Sequence, residues 1–272
     1  MATDSGFIDV PGGRLYYEAD GDGPALTLIH AGVANLRMWA EQVEAFRDRY
    51  RVIRYDTRGF GRTQTEDVPY SNRDDLAAVL DALGVGQTHL LGLSRGAMIA
   101  LDFTIERPQR LHSLTWVAGG IGGHQGPDDG IDWAPIEKLW EEKRWEELVE
   151  AETRIWVDGL GQPPDRVDPS VRRRMIEMNL ENYRAGQPAE KAQPLDPPAA
   201  GRLAEINVPT LVMWGDLDTA ATADAGERLV REVSGARRHV FEGVAHMVNL
   251  ERPAEFNAMI GDFLAGAGVS GK

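Results

Sequence analysis

The chain has 272 residues, 42% of them apolar, and its 29 basic and 43 acidic side chains give a formal charge of −14. That length supports one substantial core, as a single domain or a domain with an inserted lid. The acidic balance disfavours a nucleic-acid partner, because phosphates require a concentrated positive surface.

No run reaches the roughly 18 uninterrupted apolar residues of a membrane span. Met1–Gly6 lacks the basic-then-apolar pattern of a secretory signal, so none is expected. The chain has no cysteine, which excludes disulfides, thiolate metal sites and a cysteine nucleophile. A cytoplasmic protein acting on a small molecule is the expectation.

In chain order, Leu15–Ala19 and Leu26–Ile29 read as strands separated by the turn-rich Asp20-Gly21-Asp22-Gly23-Pro24. Met38–Phe46 has helical apolar spacing, and Arg51–Tyr55 is a short strand. Asn72–Leu83 is a helix with Leu76, Val79, Leu80 and Leu83 on one face and Gly84 to stop it. Thr88–Leu91 is a strand running into a turn and the helix from Ala97, and Leu111–Val117 is another strand. Strands alternating with helices point to an α/β fold with a mainly parallel sheet covered on both faces. Active sites in such sheets lie beyond the C-terminal strand ends.

The rhythm breaks at Gly119-Gly120-Ile121-Gly122-Gly123, read as a flexible connection because it lacks the Gly-Lys-Ser/Thr ending of a phosphate cradle. Residues 121–204 show no strand alternation, and helical patterns fall near 134–157 and 169–185. This segment is expected to be a helical cap inserted into a core made of residues 1–120 and 205–272. The sheet resumes at Pro209–Trp214, followed by a helix over 221–233, a strand at Arg238–Phe241 and a last helix around 253–265. The tail Gly266–Lys272 is expected to fray.

Chemistry concentrates at Gly92-Leu93-Ser94-Arg95-Gly96. A serine between a strand and a helix projects its hydroxyl above the sheet beside the helix's first amides. It needs a base, because a hydroxyl attacks only when its proton is taken. His246, in the loop Gly243-Val244-Ala245-His246-Met247, is the leading candidate. His89, His112 and His239 lie in strands, His30 ends one, and His124 sits in the glycine-rich connection where it could meet ligand.

The imidazole in turn needs an acceptor. Asp218 follows the strand ending at Trp214, with Asp216 as the alternative, better placed to bond backbone amides. A tetrahedral oxyanion needs two donors. The Arg95 amide is one. The loop after His30 supplies the other, placed at Gly32 with Ala31 and Val33 open. No His-Glu-x-x-His occurs, so no metal is expected.

These pieces resemble the α/β-hydrolase superfamily from about Gly12 to Leu264. Leu28-Ile29-His30-Ala31-Gly32, Asp56-Thr57-Arg58-Gly59-Phe60-Gly61, Gly92-Leu93-Ser94-Arg95-Gly96, Gly215-Asp216-Leu217-Asp218 and Ala245-His246 carry the likeness. The group it looks most similar to is that of serine esterases, enol-lactonases and cofactor-free haloperoxidases. The resemblance implies Ser94 as nucleophile, His246 as base, Asp218 as triad acid, and the Gly32 and Arg95 amides as oxyanion hole.

Two positions depart from the pattern: Ala31 stands where glycine usually follows the histidine, and Arg95 follows the nucleophile. Arg95 and Arg58 are both expected to brace structure. Trp133, Trp140, Trp156, Met178 and Tyr183 are the expected pocket residues. The expected reaction is cofactor-free acyl transfer on a small to medium apolar ester or lactone. Cleavage of a C–C bond in a dienoic diketone, peracid formation, a slow ligand receptor and an interaction scaffold are the alternatives.

Overall fold

The computed structural model describes residues 3–186 and 191–267; the end of the tail, 268–272, lies outside the described residues. Strands β1 (Asp4–Val10), β2 (Gly13–Asp20), β3 (Ala25–Ile29), β4 (Arg51–Tyr55), β5 (Gln64–Thr65), β6 (Thr88–Leu93), β7 (Leu111–Val117), β8 (Thr210–Gly215) and β9 (Arg237–Phe241) join in one sheet. Among the described residues its order is β1-β2-β4-β3-β6-β7-β8-β9, with β5 on β2. β2 is antiparallel to each of its partners, and every pairing from β4 across to β9 is parallel.

The central strands β3, β6 and β8 are buried along their whole length, as strands covered on both faces must be. Flanking helices supply the cover. α1 (Ala40–Phe46) packs with α9 (Pro253–Gly266), and α2 (Asn72–Ala82) with α3 (Arg95–Glu106), while α7 (Ala220–Glu232) lies on β8. A four-residue helix, α8 (Val248–Glu251), precedes α9.

β1 and β5 were not expected from the sequence. β1 buries only Ile8 of its seven residues, and β5 has two residues, neither buried. Edge strands held by backbone pairing leave little apolar alternation to read.

The cap inserts between β7 and β8. It comprises α4 (Ala134–Glu141), α5 (Trp145–Thr153) and α6 (Pro169–Ala185). The helical stretch expected over 134–157 is interrupted at Lys143, whose φ is +55°. It ends in a wide turn over Arg154–Asp158 that stops at Gly159. α6 starts on Asp168, which accepts the Ser170 amide at 2.8 Å, and ends at left-handed Gly186. Within the cap, Trp145 stacks on Tyr183 with ring centroids 5.2 Å apart. Glu152 accepts from both the Tyr183 hydroxyl and the Asn179 amide at 2.7 Å.

Asn182 ties this layer to the core: its Nδ2 donates to Ala34 O and its Oδ1 accepts the Gly61 amide, each at 2.9 Å. The cap is thus registered against the loops after β3 and β4, which flank the strand ends.

The loop after β4 is set by two buried charges. Asp56 accepts the Leu36 and Arg62 amides at 2.8 Å, and a side chain at Gly61 would lie 2.1 Å from its carboxylate. Arg58 is 1% exposed. It grips both oxygens of Asp75 at 2.7 and 2.9 Å and donates to Pro11 O and Gly12 O at 2.8 Å. Arg58→Met strands Asp75 as an unpaired buried charge and should cost about 3–5 kcal/mol of stability. Urea denaturation reads this directly, and a loss below about 1 kcal/mol would contradict the bracing role.

Candidate active site

Ser94 follows β6 directly and holds φ +56°, ψ −118°, a conformation that non-glycine residues adopt only under surrounding constraint. The constraints are visible. Its amide donates to Val117 O on β7 at 2.8 Å. A Cβ at Gly92 would lie 2.1 Å from Gly96 O, and one at Gly96 would lie 2.2 Å from Ile29 O. Only glycine at both positions lets the strand reverse into α3 against β3, which is why the serine stands alone at the tip.

His246 sits between β9 and α8. A Cβ at Gly215 would lie 2.1 Å from Val244 O, so that glycine allows the end of β8 to press against the His246 loop. Asp216 Oδ1 accepts the Gly243 and Val244 amides at 2.7 and 3.3 Å, bracing that loop. Glu251 accepts the Ala245 amide at 3.0 Å. Asp218, not Asp216, meets the histidine: Nδ1 and Asp218 Oδ2 are 2.7 Å apart, with side-chain exposures of 4% and 1%. The acceptor fixes the proton on Nδ1, so the neutral ring keeps Nε2 as its proton-accepting nitrogen. The Trp156 ring packs 4.8 Å from the imidazole.

Ser94 and His246 line one cavity of about 500 Å³. A second cavity, of about 700 Å³, shares Arg95 and Met98 with it.

On the opposite side stands the loop after β3. The Ala31 amide is taken by Met38 Sδ at 3.3 Å, and Gly32 lies over the Arg95 side chain, where an added Cβ would be 3.7 Å from Arg95 Cβ and Cδ. His30 Nδ1 donates to Ala31 O at 2.7 Å, while its Nε2 accepts from the Thr57 amide at 3.0 Å. Burial pushes the His30 pKa down to about 3. The ring is a neutral strut between two loops, unfit as a base near neutrality.

The other histidines are held elsewhere: His89 bonds Ser113 at 2.8 Å with His112 beside it, and His239 meets Glu255 at 3.1 Å. His124 does line the cavity that Ser94 and His246 share. It is fixed there between Asp224 at 2.7 Å and Arg228 at 2.9 Å.

Of the five expected pocket residues, Trp133 and Trp156 line the cavity. The other three do not. Trp140 is 48% exposed, Tyr183 is spent on Trp145 and Glu152 inside the cap, and Met178 is buried beside an outer hollow shared with Arg37 and Arg174. Helical periodicity finds an apolar face but cannot say whether that face covers protein or ligand.

Sequence reasoning missed the main wall. The segment from Gly119 to Ile131, of which Gly119–Gly123 was expected to be a flexible connection and only His124 to meet ligand, lines the cavity together with Thr219, Ala221 and Thr222. Its run of glycines beside strand β7 was the available signal. Among the described residues no cluster of His, Cys, Asp or Glu could hold a metal ion, and no helix is long and apolar enough to cross a membrane.

An elbow serine on a parallel sheet beneath an inserted helical cap defines a hydrolase class. The chain belongs to the alpha/beta hydrolase family, whose model matches residues 28–259. It is 32% identical over 266 residues to a 2-hydroxy-6-oxononadienedioate/2-hydroxy-6-oxononatrienedioate hydrolase of Burkholderia vietnamiensis, covering 92% of this chain and 91% of that one. Identity is 30% to a 2-hydroxy-6-oxo-6-phenylhexa-2,4-dienoate hydrolase of Comamonas testosteroni, again over 92% and 91%. Among solved structures, the enol-lactonase from Burkholderia xenovorans superposes with TM-score 0.80 at 25% identity, covering 96% of this chain and all of that one.

These relatives correct the expected reaction. The compounds they are named for are hydroxy-oxo-dienoates, which contain no ester or lactone bond, and they recur across the similar proteins. The assignment as a carboxylic ester or lactone hydrolase is therefore set aside. The serine motif had suggested it because the same triad serves either bond.

Proposed function

We propose that this protein is a C–C bond hydrolase acting on 2-hydroxy-6-oxo-2,4-dienoates. The observation that carries the reading is similarity over 92% of this chain, at 30–32% identity, to several hydrolases named for such compounds. The two cavities that share Arg95 and Met98, one of them lined by Ser94, support it, since the substrate's reacting ketone carries an arm on each side.

A bond from a ketone carbon to another carbon breaks heterolytically only if the departing carbon can hold the electron pair. The dienoate meets that need. Moving the enol proton from the C2 oxygen to C5 gives a 2,6-dioxo-3-ene, whose C5 becomes the terminus of a conjugated ketone. In the reading advanced here, His246 takes the Ser94 proton as the hydroxyl attacks C6. The C6 oxyanion is held by the Arg95 amide and an amide of the Gly32 loop.

The C5–C6 bond then breaks with its electrons passing through C4 and C3 to the C2 oxygen, releasing a 2-hydroxy-2,4-dienoate after protonation. Water, deprotonated by His246, hydrolyses the acyl-serine to a carboxylic acid. One water is consumed and nothing is oxidised or reduced. Asp218 keeps the imidazole in the required tautomer and stabilises its charged form. The reading places Trp133 and Trp156 against the apolar parts of the substrate, treats residues 121–204 as the cap that shapes the pocket, and assigns a cytoplasmic location.

The test is a substrate panel followed by the loss of dienoate absorbance. The enzyme should cleave 2-hydroxy-6-oxo-6-phenylhexa-2,4-dienoate with kcat/KM at least about 100-fold above that for p-nitrophenyl acetate, a difference of roughly 2.7 kcal/mol in transition-state binding. No detectable cleavage of any 2-hydroxy-6-oxo-dienoate would refute it.

A further inference from the structure

The triad chemistry makes no use of the Arg95 guanidinium, although Arg95 lines both cavities. Nη1 donates to Thr57 Oγ1 at 2.5 Å and Nη2 to Asn72 Oδ1 at 3.4 Å. The Tyr70 side chain is also hydrogen-bonded to it, and its carbon lies 4.9 Å over the Phe60 ring. Every one of these partners is neutral.

The contrast with other shielded arginines is sharp. Arg58 faces Asp75, Arg166 faces Glu251 and Arg172 faces Asp158. Asp75, which acts on Arg95 through space, is itself spent on Arg58. Of the acids on the cavity walls, Asp128 accepts the Gly130 amide and Asp129 the Ala221 amide, while Asp102 and Asp196 line the second cavity without an ion pair to Arg95. Among the described residues, no carboxylate lies within ion-pair distance of Arg95.

A guanidinium partly withdrawn from bulk water and held by neutral dipoles is prepared for an anion. Its planar fork matches a carboxylate in both charge and geometry. Its place next to the nucleophile means that an anion bound there lies on the same substrate as the attacked carbonyl. The curated relatives' substrates all carry the dienoate carboxylate, and the phenyl compound carries only that one.

We infer that Arg95 binds the C1 carboxylate of the substrate, holding the dienoate arm in the cavities that Arg95 lines while C6 lies against Ser94. This inference rests on the C–C hydrolase reading for the identity of the anion. It makes Arg95 a specificity-determining residue as well as the donor of a backbone amide.

The test compares a 2-hydroxy-6-oxo-dienoate with its C1 methyl ester on the full-length enzyme and on Arg95→Met, Arg95→Gln and Arg95→Lys. Thermal unfolding verifies that each variant is folded. The native enzyme should prefer the free acid, and the acid-to-ester ratio of kcat/KM should fall by about 10- to 100-fold in Arg95→Met and Arg95→Gln. Arg95→Lys should keep part of the preference. Gln retains a donor toward Thr57, so loss of the ratio in both neutral variants isolates the charge.

A ratio unchanged by Arg95→Met, with both substrates slowed alike, would overturn the inference and leave Arg95 as a brace for the loop through Thr57. A native enzyme with no preference for the acid would also overturn it. If no dienoate is cleaved at all, the C–C reading fails separately. Inhibition of p-nitrophenyl acetate turnover by the free dienoate but not by its methyl ester, lost in Arg95→Gln, would then still uphold the carboxylate site. Equal inhibition by both, or by neither, would end it.

Discussion

Ser94→Ala should lower kcat on the dienoate by about 10⁵-fold, and His246→Ala by a similar factor. The size follows from the chemistry. Without the hydroxyl there is no covalent acceptor for the acyl group, and without Nε2 there is no group placed to take its proton. The two act as one unit, so the double variant should be no slower than the worse single variant.

Single-turnover measurement of dienoate decay on folded protein decides this. Losses that multiply would show independent roles, and Ser94→Ala activity within tenfold of native would remove serine from the mechanism. Ser94→Ala should unfold at nearly the native temperature, whereas His246→Ala should unfold lower, because it removes the hydrogen-bond partner of the buried Asp218 carboxylate. Ser94 makes no side-chain capping bond to α3, so removing its oxygen releases nothing that holds the elbow.

Asp218→Asn should lower kcat by about 10⁴-fold while Asp216→Asn changes it by less than about tenfold. The two aspartates are two residues apart and differ completely in their partners. Asp218 accepts from His246 Nδ1 at 2.7 Å. An asparagine NH₂ in its place favours the other tautomer, which leaves Nε2 carrying a proton and unable to accept one. It also removes the negative charge that stabilises the imidazolium formed during attack.

Asp216 accepts two backbone amides, and an asparagine oxygen can still accept them. Its loss should appear chiefly as about 1 kcal/mol of stability. Comparable kinetic losses in the two variants would contradict the assignment of Asp218 as the acid partner.

Much of this was legible in the amino-acid order because local rules and the global fold agree there. The uninterrupted apolar runs of β3, β6 and β8 announce strands buried on both faces. Gly92 and Gly96 around Ser94 announce a turn that no larger residue could make. Asp218 and His246 were legible as loop residues following strands, and parallel strands bring their C-terminal ends to one edge. β1 was not legible, because an edge strand stabilised by backbone pairing buries too little to impose a period. The division of the cap helix at Lys143 was equally hidden, since α4 and α5 keep helical composition on both sides of the break.

The reacting bond was the largest misreading. In the proposed reading Ser94, His246 and Asp218 prepare a nucleophile for an activated carbonyl, and such a triad contains no information about whether oxygen or carbon departs. That choice belongs to the walls and to the charges facing them. The wall is built largely by the Gly119–Ile131 segment, whose composition resembles a simple linker, and by Trp133 and Trp156 rather than by the cap side chains on α6.

By itself, then, the sequence determined the layered α/β sheet, the serine elbow and the candidate acid and base, because each is written in short-range periodicity or in glycine's freedom to turn. Only the tertiary structure decided which aspartate meets His246, which aromatics border the cavity, and that Arg95 lines both cavities with no acidic partner among the described residues. Those outcomes depend on contacts between segments far apart in the chain, where packing and electrostatic pairing, not local propensity, select the neighbour.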